Sequence, residues 1–381
     1  MSNIGIIDVV EWQTVVDMRR GIPVDADGHL VEITRNVLKK QPYPGDLESE
    51  SVSWVSNVAL DLYESYQPRF MLLSYAQPYF ISVFQDQSQI NRKVLVEQIF
   101  KDIGRFTEKT GMVPLILGTG ELTDLAGYIN LSNLDCLALG GGMVGRYAGL
   151  YEPTQQDLDY VHNHSFIKGV FSKDEIINLF GEEEDFNKRL PDYMLMAKEG
   201  YIFKTLGSIP RRFYQVPAEN KTIPLRSLLG SVDSITDIRR FIENGLTTQN
   251  IALVIIEGIG FDEFPKPYTI CTNHIDWYQY SPGDGQYLTI NTGRHLPYHS
   301  YSPGYKYYIE DTEDREYPFS AFFAKNGLDT LGSKFSGRSA AVGTRSILTH
   351  LASGADIAIE CFARGLYNYG TIGVINKGLA L

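Results

Sequence analysis

The chain has 381 residues, 43% of them hydrophobic, enough to bury one large core or two ordinary ones. Its net charge of -12 and a pI near 5.1 exclude a nucleic-acid backbone or an anionic membrane as the main partner, because both need a net basic face. The three cysteines, Cys136, Cys271 and Cys361, are too few and too scattered for a disulfide framework or a four-thiolate zinc site.

A reducing, cytoplasmic setting is therefore expected. The first dozen residues, MSNIGIIDVVEW, carry acids and lack the basic flank and apolar centre of a signal peptide. No apolar run approaches the roughly 18 residues of a spanning helix.

Ile4 to Val10 reads as a buried first strand. A polar region from Met18 to Ser53 holds one helix, Leu30 to Lys40, between proline and glycine breakers. Trp54 to Tyr66 has one apolar helical face, and Phe70 to Tyr75 is a buried strand followed by loop residues Ala76, Gln77 and Pro78. Asn91 to Thr110 is the clearest helix, with Leu95, Ile99, Ile103 and Phe106 opposite Lys93, Glu97 and Lys101. Val113 to Leu117 is the next strand, so strand, helix and strand alternate as in a parallel sheet with crossover helices.

That strand opens into Gly118-Thr119-Gly120-Glu121, a turn of the kind where open α/β sheets place ligands. Leu134 to Leu139 runs into three glycines without the spacing of a dinucleotide fingerprint. A capping box at Ser172 to Glu175 starts a helix ended by Gly181, Pro191 to Met196 reads as a strand, and Ser234 to Asp237 repeats the capping pattern before a helix to Asn244.

Ile251 to Ile256 is a continuous apolar run that delivers Glu257 to a sheet edge. The loop-rich stretch that follows, to Tyr308, carries His274, His295, His299, Asp276, Asp284 and many tyrosines. Phe319 to Asn326 is expected to be a helix. A Gly/Ser/Arg segment, Ser336 to Ser346, leads into another helix at Ile347 to Leu351, and a glycine-punctuated apolar tail packs on the body.

Three clusters offer chemistry. Asp157, Asp159, His162 and His164 suit a metal if the segment is a strand, because residues two apart then share a face; as a helix turn they are ordinary surface groups. Arg294, His295 and His299 could grip an anion, or the surrounding tyrosines could form a subunit contact. Arg338 and Arg345, among serines and threonines, have the composition of a phosphate or carboxylate site or of a capped helix. A serine or cysteine nucleophile is not supported, for want of a G-x-S-x-G elbow or a cysteine beside a histidine.

VIIEGIG, then LTINTGRHLPYHSYSPGYKYY and PFSAFFAKNGLDTLG, resemble the first half of the type I phosphodiesterase branch of the alkaline phosphatase superfamily. LDLYESYQPRFMLLSY, LILGTGELTDLAGYINL and RLPDYMLMAKEGYIF resemble its second half, in circularly permuted order. The resemblance implies an alkaline-phosphatase-like α/β fold with a mostly parallel central sheet and helices on both faces. Residues 1–230 and 231–381 would form two halves, or residues 1–381 a single domain.

It also implies a phosphoester-binding protein, either a metal-dependent hydrolase with an altered site or a relative that has lost catalysis. Glu257 would take the position of the family's metal-binding aspartate, and Asp284 falls near its nucleophile. In an active version these two acids would be catalytic and hold a divalent ion, zinc or manganese. His295, His299, Arg338 and Arg345 would bind the ligand; Glu121, His162 and His164 are further metal candidates. The chain departs from the family where Asp-His-Gly is replaced by Gly118-Thr119-Gly120-Glu121. The expected partner is a small phosphorylated or acidic molecule, with no nucleic acid, no membrane and a homo-oligomer in view. Alternatives are a non-catalytic assembly subunit and a metal-independent enzyme acting on an acidic metabolite.

Overall fold

A computed structural model of the chain describes residues 5–8, 15–17, 22–24, 28–45, 47–86, 91–140, 144–181, 190–205, 211–296, 330–332, 337–344, 353–361 and 371–375. Side chains are described from residue 28 onward, except at 284, 361, 371, 372 and 374.

Three short strands, β1 (Gly5–Asp8), β2 (Val15–Asp17) and β3 (Ile22–Val24), precede helices α1 (His29–Lys40) and α2 (Glu50–Tyr66). Then come β4 (Phe70–Tyr75), α3 (Gln77–Phe84), α4 (Arg92–Thr110) and β5 (Val113–Gly118). The middle of the chain holds β6 (Leu122–Asp124), β7 (Gly127–Ile129), β8 (Leu137–Gly140), β9 (Tyr147–Tyr151), α5 (Gln155–Asn163), β10 (Ile167–Ser172) and α6 (Lys173–Phe180). It continues with β11 (Tyr193–Ala197), β12 (Tyr201–Phe203), β13 (Gln215–Pro217), β14 (Thr222–Ser227), α7 (Ile238–Gly245) and β15 (Ile251–Ile256). Last are β16 (Thr269–Thr272), β17 (His274–Ile275), β18 (Tyr278–Gln279), α8 (Asp284–Thr292), β19 (Ser339–Gly343), β20 (Ile357–Cys361) and β21 (Thr371–Ile375).

Local chemistry accounts for the clearest of these. In α4 the Asn91 side chain accepts a hydrogen bond from the Val94 N–H, the apolar stripe is buried, and Gly111 at φ 66 ends the helix. Boxes close the starts of α5 at Thr154 and Asp157 and of α6 at Ser172 and Glu175. The repeat at Ser234 forms no such box, and α7 starts later, at Ile238.

The main sheet has 11 strands in the order β16-β14-β5-β15-β4-β19-β20-β21-β1-β2-β3. The run β5-β15-β4-β19-β20 is parallel, and antiparallel strands extend it at both ends. Strands from both sides of residue 230 are interleaved in it, and β21 ties the tail to β20 and β1.

Successive residues of the central strands face opposite cores, as a period of two requires. Met71, Leu73, Val254 and Ile256 meet α1, α2 and α4, whereas Leu72, Leu253 and Ile255 meet α6, α7, α8 and the inner side of a second sheet, β10-β11-β9-β8. The chain is a mixed α/β structure with helices on both faces of the sheet. Among the described residues no helix is long and apolar enough to cross a membrane.

Three elements differ from the sequence reading. Gln77 starts a helix with Pro78 in its first turn, where a loop is expected. The stretch after Glu257 contains α8, whose side chains from Gly285 to Thr292 are all buried, so it has no apolar stripe to reveal it. Ser339–Gly343, part of the Gly/Ser/Arg segment expected to lead into a helix, is a buried strand beside β4. The helices expected at 319–326 and 347–351 lie outside the described residues.

Candidate functional site

The path of the chain singles out one place on the sheet. From β4 the chain crosses to β5 by way of α3 and α4; the chain leaving the adjacent β15 packs on the same face as α4, through Ile259 and Phe264, on its way to β16 at the sheet's end, while α8 packs on the opposite face. The carboxyl ends of β4 and β15 thus lie between the start of α3 and the start of α8, and such strand ends are where open α/β sheets take ligands.

Glu257 stands at that point. Its N–H continues the ladder to Tyr75 O at 2.9 Å, and its side chain is fully buried. The Tyr287 hydroxyl, from α8, donates to Glu257 Oε1 at 2.8 Å and is hydrogen-bonded to Ser74 Oγ on β4. Glu257, Tyr287 and Ser74 thus link β4 and the end of β15 to α8.

Amides and hydroxyls continue the row on either side. Thr119, after β5, accepts the Gly258 N–H on Oγ1 at 2.9 Å. Gln286 Nε2 donates to Thr119 O at 3.2 Å and to Asn273 Oδ1 at 2.8 Å. Asn273 is itself fixed by donating from Nδ2 to Asn220 O and Tyr280 O at 2.9 and 2.8 Å. Beyond β4, Thr344 Oγ1 accepts the Ala76 N–H at 2.9 Å and donates to Gln77 Oε1 at 3.0 Å. Among the described residues, two buried atoms in this row have no hydrogen-bond partner, Gln77 Nε2 and Gln286 Oε1.

Glu121 lies at the same edge of the sheet but serves other groups. Its N–H donates to Asn220 Oδ1 at 2.9 Å, and its Oε1 accepts the Phe261 N–H at 3.2 Å. It lines a cleft of about 220 Å³ with Arg92, Asp262 and Glu263, in which Arg92 forks onto Glu263 at 2.7 and 2.6 Å. The two strand-end acids expected to meet therefore share an edge without sharing a partner.

The other expected residues are dispersed. His162 is in the last turn of α5 and His164 is its C-cap, so the segment is a helix end and not a strand. Asp157 is spent on the cap: hydrogen bonds from the Asp135 and Thr154 N–H groups hold its carboxyl below the usual range. His164 sits among rings, 5.7 Å from both Tyr160 and Phe166.

His295 follows the last turn of α8, stacked on Tyr280 with its Nδ1 3.2 Å from that hydroxyl. The helix ends at Thr292 and Gly293 caps it in the left-handed region, so His295 lies beyond the end of α8 opposite to the turn that carries Tyr287. Burial lowers its pKa, the nearby His274 lowers it further, and Asp237 acts in the opposite sense. Arg338 is at the amino end of β19, exposed, donating to Tyr66 O at 2.9 Å. Because the segment is a strand, Arg338 precedes it and Thr344 follows it, at opposite edges of the sheet. His299, Arg345 and the Asp284 side chain lie outside the described residues, although the Asp284 backbone opens the first turn of α8, one turn before Tyr287.

Among the described residues no group of three or more His, Cys, Asp or Glu side chains could hold a zinc or manganese ion. The hydrogen bond that Glu257 Oε1 accepts comes from a hydroxyl. Sequence reasoning missed Ser74, Gln77, Gln286 and Tyr287 and named Thr119 and Thr344 only as parts of segments suited to a ligand; none of the six carries charge. The Pro78 after Gln77 was the available signal for a helix start at the sheet edge. No family model matches the chain, and no curated protein matches it.

Proposed function

We propose that this protein binds a small phosphorylated or acidic molecule at the carboxyl edge of its parallel strands, between β4 and β15. The observation that carries this reading is that α3 and α8, on opposite faces of the sheet, both start at the edge where Glu257 stands. Helix starts present unsatisfied N–H groups and a positive dipole end to an anion. The hydroxyls and amides of Ser74, Thr119, Gln286, Tyr287 and Thr344 add polar groups that orient a ligand. The likeness of VIIEGIG and its neighbours to type I phosphodiesterases favours a phosphoryl group as the anion.

The role of Glu257 decides how the anion is held. An anion held directly by N–H and amide groups gains when a neighbouring carboxylate loses its charge; one held through a cation loses. Glu257→Gln, titrated with phenyl phosphate by calorimetry without divalent ions, is expected to bind several-fold more tightly than the parent, for a charge-pair change of about 1 kcal/mol. Weaker binding by the variant, with parent binding that appears only on adding zinc or manganese, would point to the metal-held version. No binding by the parent under either condition would remove the reading, and phosphate release followed in the same samples reports turnover.

A second reading, an assembly subunit, is favoured by β16, the outermost strand of one sheet end, where Ile270 is 63% exposed. Edge-to-edge pairing there would give a dimer in sedimentation that Ile270→Lys dissociates.

A further inference from the structure

We infer that Gln77 grips an oxyanion of the ligand, through its side-chain Nε2 at the first turn of α3. This rests on the ligand site proposed above and assigns a residue and a chemistry to it.

Gln77 is fully buried, and a buried amide is expected to use its donors as well as its acceptor. Its Oε1 is engaged at 3.0 Å by the Thr344 hydroxyl, whose oxygen already receives the Ala76 N–H, so the amide is held from the β19 side. Among the described residues its Nε2 has no hydrogen-bond partner. An NH2 group left in this state costs about 1–3 kcal/mol of desolvation, a cost that a ligand oxygen would offset.

The position of that donor is specific. Gln77 is the first residue of α3, and helix side chains lean back toward the amino end. Its amide therefore lies in front of a turn that has no side-chain cap. Ala76 gives its N–H to Thr344, Pro78 has none, and Phe80 starts the helical ladder on Ala76 O at 3.0 Å. What a ligand meets there is a helix start and an amide donor, both suited to a carboxylate or phosphate oxygen. Gly258, at φ +74, lets the chain leaving β15 lie against the same turn, where an added Cβ would come within 3.1 Å of Tyr79 Cα. The α3 start thus lies against the chain that carries Glu257.

The test compares phenyl phosphate and benzoate, titrated into the full chain and into Gln77→Met, which keeps length and volume but has no donor. Binding of either probe by the parent, weakened about tenfold or more in Gln77→Met with its melting temperature within a few degrees of the parent, is the expected result. Whichever probe binds names the ligand as phosphoryl or carboxylate. Unchanged affinity in Gln77→Met overturns the assignment of Gln77 and leaves the ligand site standing. A lower melting temperature with unchanged affinity does the same, because it makes Gln77 a packing residue. If Gln77→Met does not fold, Gln77→Glu keeps the Thr344 contact and sets a carboxylate against the anion; it should abolish binding, and retained binding overturns the assignment. A parent that binds neither probe removes the ligand site and Gln77's role together.

Discussion

The two edges of the parallel strands use their buried polar groups differently. At the amino edge, Asp356 Oδ2 accepts the Tyr66 hydroxyl and the Ser339 N–H, each at 3.0 Å, while the Asp356 N–H returns to Ser339 Oγ at 3.1 Å. Arg338 caps this by donating to Tyr66 O, and the Arg69 N–H donates to Arg338 O at 2.8 Å. Burial, and then Asp356, raises the Tyr66 pKa well above the usual phenol range, so the hydroxyl stays a donor. These groups bond one another and staple β4, β19 and β20. At the carboxyl edge β4, β5, β15 and β19 lead to Ser74, Gln77, Thr119, Glu257 and Thr344, and among the described residues the amide atoms Gln77 Nε2 and Gln286 Oε1 have no hydrogen-bond partner. A set of groups that satisfies itself stabilises; a set that does not has room in its chemistry for a further molecule.

If that contrast is right, breaking the amino edge costs stability alone. Asp356→Ala removes the acceptor of two buried hydrogen bonds and should lower unfolding free energy by about 3 kcal/mol in denaturant titrations. Affinity for phenyl phosphate should hold at temperatures where the variant is folded. A change in affinity comparable to that of Gln77→Met would mean that the edges are coupled and the contrast false.

Arg92 tests the carboxyl edge as a structure. Its guanidinium donates to Pro78 O at 2.9 Å, to Gly258 O at 2.8 Å and to Glu263, and also meets Ser82 Oγ, so it clamps α4 to the start of α3 and to the chain leaving β15. Arg92→Met should cost about 2 kcal/mol, less than the amino-edge change because Glu263 is partly solvated. Unlike that change it should also weaken phenyl phosphate binding, since the α3 start and the chain leaving β15 lose their tie. Stability loss with no effect on binding would detach this clamp from the ligand.

How much of this was legible follows from where each residue's information resides. Strands β4, β5 and β15 and helices α1, α2 and α4 are visible because their apolar periods report packing on one or two faces. Glu257 is visible because a charge at the end of an apolar run has few structural explanations. β19 is hidden: Ser339 to Gly343 must be small to lie between β4 and β20 under helices on both faces, and small residues read as loop. α8 is hidden because burial on all sides leaves no stripe. The amides Gln77 and Gln286 are hidden for another reason, since their significance is a missing partner in space. The expectation of a phosphodiesterase-type site rests on acids and imidazoles, whereas the described row around Glu257 is made of uncharged donors and acceptors.

The finest contrast runs along α8, whose first turns meet Glu257 and whose end leads to His295. The His295 pKa is lowered by burial, so the folded state prefers the neutral ring while the unfolded chain protonates near the ordinary value of about 6.5. Unfolded chains then bind more protons than folded ones below that value, and stability rises with pH there. It is fully present above about pH 6.5 and is lost as the pH falls through the lowered value. Denaturant midpoints between pH 7.5 and 5 should therefore decline, and His295→Gln should reduce the decline. Phenyl phosphate affinity of folded protein, corrected for the ligand's own ionisation, should differ little between parent and His295→Gln over this range. A His295-dependent gain in affinity on acidification would instead place the imidazole beside the anion, as its sequence neighbourhood suggests, and would extend the ligand site along the whole of α8.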